Sequence, residues 1–114
     1  MRLNLHVHSA LSDGVLSPEL LAEHLLRQRV QLFSITDHDR LWPGEGELES
    51  VRDYLERVPW QKRLPQFAVV VPGVELTTEH LGTEVHVVVY DVQFLILCGE
   101  RRKIPLYLQN SMPD

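Results

Sequence analysis

The sequence predicts an α/β fold built on a parallel sheet, and three observations point to it. A strand, a helix and a second strand follow one another between Arg2 and Thr36, which is a βαβ unit and therefore a parallel pair. Residues 67–71 (Phe-Ala-Val-Val-Val) form a continuous apolar run, as a strand buried on both faces should. Histidines and carboxylates recur where predicted strands end or turn, the places from which a barrel of strands and helices assembles a site out of distant segments.

The elements follow in order. Residues 2–8 alternate, with Leu3, Leu5 and Val7 on one face and Arg2, Asn4, His6 and His8 on the other, the period of a strand. Ser17-Pro18-Glu19 opens a helix: Ser17 can cap it, Pro18 suits its first position, and Glu19 suits the positive end of its dipole. Leu21 and Leu25 are its expected core contacts. No glycine stops this helix near Arg29, so Val30-Gln31 is expected to make the turn into a second strand over 32–36. A polar loop over 37–46 leads to a second helix over 47–58, with Leu48, Val51 and Leu55 on its buried side. A connector over 59–66 precedes the apolar strand. Pro72-Gly73 breaks that strand, 74–78 resume an extended pattern, 79–82 turn, and 83–90 form another strand carrying His86. Residues 92–98 can form one more strand, whereas Arg101-Arg102-Lys103 and the residues after it show no pattern. The chain thus divides into a domain over 1–90 and a divergent tail over 91–114.

With 114 residues the chain is one domain at most. A net charge of −5 predicts no strong attraction to nucleic acid or to an anionic membrane. Bound cations could still reverse the sign locally for a phosphorylated substrate. The single Cys98 rules out an intrachain disulfide and fits a reducing, cytoplasmic location. No signal peptide is expected at the N-terminus, and the apolar runs are too short to span a bilayer.

His6 and His8, two apart on a strand, send both imidazoles to one face, and neutral imidazole ligates zinc, manganese or iron. A His-x-His pair alone is more often a solvated polar face. Asp13, on the loop that follows, adds a carboxylate able to fold back toward the strand end. In Asp37-His38-Asp39 the aspartates suit a turn, whereas histidine has no turn role; His38 is the expected ligand, with Asp37 and Asp39 as hydrogen-bonding supports. Glu75 after a buried strand is either metal-bound or an outward edge residue. His86 among valines is by itself more often a hydrogen-bonded core residue. His24, His80 and Cys98 are assigned no role in the site.

Together, His6-x-His8-Ser9, Ser12-Asp13-Gly14, Ile35-Thr36-Asp37-His38-Asp39, Pro72-Gly73-Val74-Glu75 and Glu84-Val85-His86 resemble the PHP (polymerase and histidinol phosphatase) superfamily over roughly residues 1–90. The resemblance implies the N-terminal portion of a distorted (β/α)7 TIM-like barrel holding two or three divalent ions (Mn, Zn or Fe). His6 and His8 would bind the first ion, Asp13 and His38 the second, and His86 the third, with Glu75 bridging first and third. It further implies a hydrolase, a phosphoesterase using metal-activated water on nucleotides or short oligonucleotides. The chain departs from the family pattern in having no histidine after His86, so the family's later ligands are missing. That predicts a truncated or frame-shifted product, with an open sheet edge suited to self-association. Two further readings follow: an inactive remnant or interaction module that keeps a partial metal site, and, third, a polymerase-associated PHP domain.

Overall fold

The computed structural model describes residues 2–99. The basic cluster Arg101-Arg102-Lys103 and the rest of the tail beyond Gly99 lie outside the described residues. The elements are β1 (Arg2–Val7), α1 (Pro18–Arg27), β2 (Val30–Ile35), α2 (Glu47–Arg57), a 3₁₀ turn (Gln61–Arg63), β3 (Ala68–Val70), β4 (Gly73–His80), β5 (Thr83–Tyr90) and β6 (Leu95–Cys98). β1, β2 and β3 are parallel neighbours, and β6 joins β3 antiparallel, giving the order β1-β2-β3-β6. The sheet is therefore mixed and open; the described residues do not close a barrel. β4 and β5 form a separate antiparallel hairpin.

Local chemistry explains the elements. Ser17 caps α1 by accepting a hydrogen bond from the Leu20 amide (3.3 Å). The turn after α1 falls one residue earlier than the sequence suggests: Arg29 takes it at φ 64°, and Val30 already pairs with β1. That left-handed conformation costs a residue with a Cβ roughly 1–2 kcal/mol. Strand alternation splits the core in two. Phe33, Ile35, Ala68 and Val70 pack under the apolar faces of α1 and α2, with Ala22, Leu26, Leu48, Val51 and Leu55. Leu32, Val69 and Val71 face the other way, against Leu5, Phe67, Phe94 and Ile96. Leu5 and Val7, which strict alternation places on one face, serve different clusters because the β1 ladder is irregular between Asn4 and Val7. Trp42, in the loop the sequence marks as polar, is wholly buried and exchanges two backbone hydrogen bonds with Gly73 (both 3.1 Å).

Two features carry the hairpin across the sheet end. A Cβ on Gly73 would lie 2.4 Å from Ser34 Oγ and 2.9 Å from Thr36 Cγ2, so only glycine lets β4 pass this close to β2. The Tyr90 hydroxyl donates to the Leu5 carbonyl (2.6 Å), tying β5 to β1. His80, expected in a turn, is the last residue of β4; the turn is Leu81-Gly82, both at positive φ, as a two-residue hairpin loop requires. The valines of β5 lie on an exposed hairpin rather than in a core: Val85, Val87 and Val89 are 36–43% accessible. No helix among the described residues is long and apolar enough to cross a membrane.

Candidate metal centre

Parallel β1, β2 and β3 bring their C-terminal ends to one rim, and each releases a polar segment there. His8 follows β1, Asp37-His38-Asp39 follows β2, and the short link after β3 leads to Glu75 on β4. The loop after β1 folds back because Gly14 touches the His8 backbone; a Cβ there would meet the His8 carbonyl oxygen at 2.3 Å. Its amide and that of Ser12 both donate to the Ser9 carbonyl (2.9 and 3.1 Å), which leaves Asp13 over the rim.

All six residues singled out in the sequence converge. Glu75, 4% exposed, is the hub. Its Oε1 lies 2.6 Å from His6 Nε2 and 3.2 Å from His8 Nε2. Its Oε2 lies 3.2 Å from His38 Nδ1 and 3.0 Å from His86 Nδ1. Asp13 spans the other side, with Oδ1 2.6 Å from His8 Nδ1 and Oδ2 3.1 Å from His38 Nε2. Adjacent rings are close, with His8 and His38 centroids 4.6 Å apart. A shallow hollow of about 350 Å³, lined by His6, Val7, His8, Asp13 and Gly14, opens on one flank.

The donor set suits cations. A neutral imidazole carries one N–H and one lone pair. His8 and His38 each present both ring nitrogens to carboxylate oxygens at hydrogen-bonding distance. One nitrogen of each would therefore set a lone pair against an oxygen unless a proton or a metal ion lay between them. His86 is bracketed likewise, by Glu75 and by Glu84 (3.3 Å). Three triads have ligand atoms all within 4.8 Å of one another: His6-His8-Glu75, His8-Asp13-His38 and His38-Glu75-His86. The same contacts set the charges. For Glu75, burial works to raise the pKa, but the hydrogen bond from His6, the charge of His38 and the bond from His8 outweigh it, so the carboxyl sits below its ordinary value. Asp13 is also lowered, chiefly by its hydrogen bond with His8. His86 is raised, first by its bond to Glu84 and then, against some burial, by the Glu75 charge.

Asp37 and Asp39 do not reach the imidazoles; each braces a segment that carries a ligand. Asp37 is fully buried and accepts from the Ser9 amide (2.7 Å), the Ser9 hydroxyl (2.5 Å) and the Ser12 hydroxyl (2.6 Å), pinning the Asp13 loop to the end of β2. Asp39 accepts from the Thr77 amide (2.9 Å), and its own amide donates to the Glu75 carbonyl (2.8 Å), holding β4 in place. The roles of Ser9, Ser12 and Gly14 were signalled only by their adjacency to His8 and Asp13. His24 lies on the exposed side of α1 beside Gln28 (3.1 Å), and burial raises the Cys98 thiol to about 11, so neither joins the site.

Known proteins resemble this chain in sequence and, in one solved structure, in fold. No family model matches the chain. It is 33% identical over 85 residues to the 5'-3' exoribonuclease Rnm of Salmonella typhimurium and to that of Escherichia coli, covering 75% of this chain and 26% of each relative. A 5'-3' exoribonuclease of Haemophilus influenzae is 31% identical over 88 residues, covering 76% of the chain and 27% of that protein. The chain thus spans about a quarter of the length of the curated relatives it matches. Among solved structures, an amidohydrolase from Chromobacterium violaceum with bound sulfate and no metal superposes with a TM-score of 0.57 at 26% identity, covering 79% of this chain and 28% of that one. Over most of its length, then, the chain is similar to one part of larger hydrolases, and its mixed α/β fold with a parallel sheet superposes on part of the amidohydrolase.

Proposed function

We propose that this chain is the N-terminal portion of a PHP-type metal-dependent phosphoesterase, with His6, His8, Asp13, His38, Glu75 and His86 holding divalent cations (Mn, Zn or Fe). The substrate is a phosphate ester of a nucleotide or short oligonucleotide, a reading supported by the names of the exoribonuclease relatives. The observation that carries the proposal is the pairing of both ring nitrogens of His8 and of His38 with carboxylate oxygens. Such a cluster is electrostatically incomplete without positive charge between its members.

When bound, the cations supply Lewis-acid polarisation of phosphoryl oxygen and lower the pKa of water. The protein supplies the rest. Glu75 and Asp13 contribute the negative charge that concentrates cations at the rim, and Asp37 fixes the loop that aims Asp13. His6 and His86, with side chains 54% and 46% exposed, stand at the opening and leave the anionic substrate an approach from solvent. A phosphate ester would otherwise be repelled by two carboxylates, so substrate binding depends on prior cation binding.

Elemental analysis of protein purified without chelator, with hydrolysis of a generic phosphoester and of nucleotides measured on the same sample, tests the proposal. Bound transition metal with turnover is expected. Metal without turnover would reduce the chain to a metal-binding module, and an absence of bound metal after incubation with Mn or Zn would refute the proposal.

A further inference from the structure

At the end of the sheet opposite the metal centre, three arginines surround one hollow. It measures about 260 Å³ and is lined by Arg27, Arg29, Trp60, Arg63 and Leu64. Arg27 ends α1, Arg29 precedes β2, and Trp60 and Arg63 precede β3, so these residues gather where the parallel strands begin. No carboxylate lines the hollow, and none of the three guanidiniums has an ion-pair partner among the described residues, although the chain carries a net charge of −5. Elsewhere Arg40 pairs with Glu47 (2.8 Å) and Arg52 with Glu49 (3.8 Å), whereas Arg2 and Arg57 donate only to the backbone carbonyls of Gln28 and Asp53.

Three like charges around one hollow repel one another, and ordinary structural roles explain only one of them. Arg27 suits the negative end of α1 and also lies over the Trp60 ring, 4.8 Å from its centre. Arg29 breaks a local rule. It occupies the left-handed position just past a helix, φ 64°, where glycine is the strain-free residue, so the chain holds a cation there against a backbone cost. Trp60 lines the hollow, and its indole N–H is buried with no acceptor among the described residues. Three exposed guanidiniums with no carboxylate beside them among the described residues, one of them retained on a strained backbone, suit one complement, an anion with several acceptor oxygens.

We propose that this hollow is a second site, which binds the phosphate group of a nucleotide or nucleic-acid strand separately from the metal centre. The net charge, which predicts no strong attraction to nucleic acid overall, conceals this local reversal of sign.

The test is calorimetric titration of the 114-residue chain, stripped of metal and dialysed into low salt, with inorganic phosphate, AMP and a short oligouridylate. The Trp60 indole N–H resonance, one of two tryptophan signals, reports where binding occurs. Binding is expected to weaken about tenfold or more in Arg29→Gly and in Arg63→Gln, to persist in His8→Ala, and to fall steeply with salt. Arg29→Gly relieves the strained turn, so its loss of binding cannot be ascribed to unfolding. Equal affinity for all three probes identifies a simple phosphate pocket; tighter binding of the oligouridylate identifies a strand contact. The proposal is overturned if no probe binds, if Arg29→Gly binds as the parent does, or if Arg40→Gln weakens binding as much. Because His8→Ala disables the metal centre alone, failure here and failure of the phosphoesterase reading are separable.

Discussion

Replacing Glu75 by glutamine keeps the shape of the side chain and removes its charge. The backbone of Glu75 is held independently, its amide by the Asp37 carbonyl (3.0 Å) and its carbonyl by the Asp39 amide (2.8 Å), so the fold should survive. Glu75 belongs to two of the three metal-suited triads, and its loss leaves only His8-Asp13-His38 whole. Removing even an outer partner of a metal ligand typically costs about 10–100-fold in affinity, so a shared carboxylate should cost at least about hundredfold. At a metal concentration about 100-fold above the parent Kd, binding stabilises the parent by about 2.7 kcal/mol. With roughly 4–8 °C per kcal/mol for a chain of this size, that is a rise in Tm of about 10–20 °C. The variant, then near its own Kd, gains only about 0.4 kcal/mol, or about 2–3 °C. Thermal scans with and without Mn or Zn, together with a competition titration against a chelator, measure both quantities. His24→Ala, on the exposed side of α1, should behave as the parent. A Glu75→Gln protein that keeps its metal-dependent rise in Tm, or a His24→Ala protein that loses it, would refute the assignment.

Other consequences are equally direct. Gly14→Ala forces a Cβ into the His8 carbonyl oxygen, so the loop must shift, and metal affinity should fall about tenfold or more with a lowered Tm. Asp37→Ala leaves the Ser9 amide and two hydroxyls without their acceptor; denaturant titration should show a loss of about 2–4 kcal/mol at an unchanged slope. In metal-free protein the depressed Asp13 and Glu75 contribute stability that is complete above the ordinary carboxylate range and lost as pH falls through their lowered folded values. The raised His86 contributes below its unfolded value, and that contribution disappears as pH rises through its folded one, so the chelated protein should be most stable in mildly acid solution, measurable as Tm against pH. Metal affinity should run the other way and weaken as pH falls through the imidazole range, because protons compete for the same nitrogens.

What the sequence revealed and what it hid divide along the range of the interactions. Ser17-Pro18 marks the start of α1 because a cap acts within one turn. The valines of β3 announce a strand buried on both faces because an unbroken apolar run needs no partner to be recognised. The six site residues stood out because each followed or joined a predicted strand. Asp37 was legible as a polar turn residue but not as the anchor of Ser9 and Ser12, since that contact bridges segments more than twenty residues apart in sequence. Burial of Trp42 depends on Gly73, and the antiparallel seat of β6 depends on β3; neither leaves a local signature. The exposure of the β5 valines leaves no local mark, because apolar composition does not say which strand will be left as part of a two-stranded ribbon.

The alignment of β4 with β5 has a consequence for the chemistry at the rim. Thr77 faces His86, and Leu76 faces Val87, through an unbroken ladder set by the two-residue loop at Leu81-Gly82. Glu75 pairs with Val88, two residues from His86 on the same face, so lengthening that loop by a single residue and sliding the ladder would turn His86 outward and leave Glu75 facing only apolar neighbours on β5. The tight bend at Leu81-Gly82 thus decides whether the carboxylate near the base of the hairpin meets a nitrogen donor or only hydrocarbon.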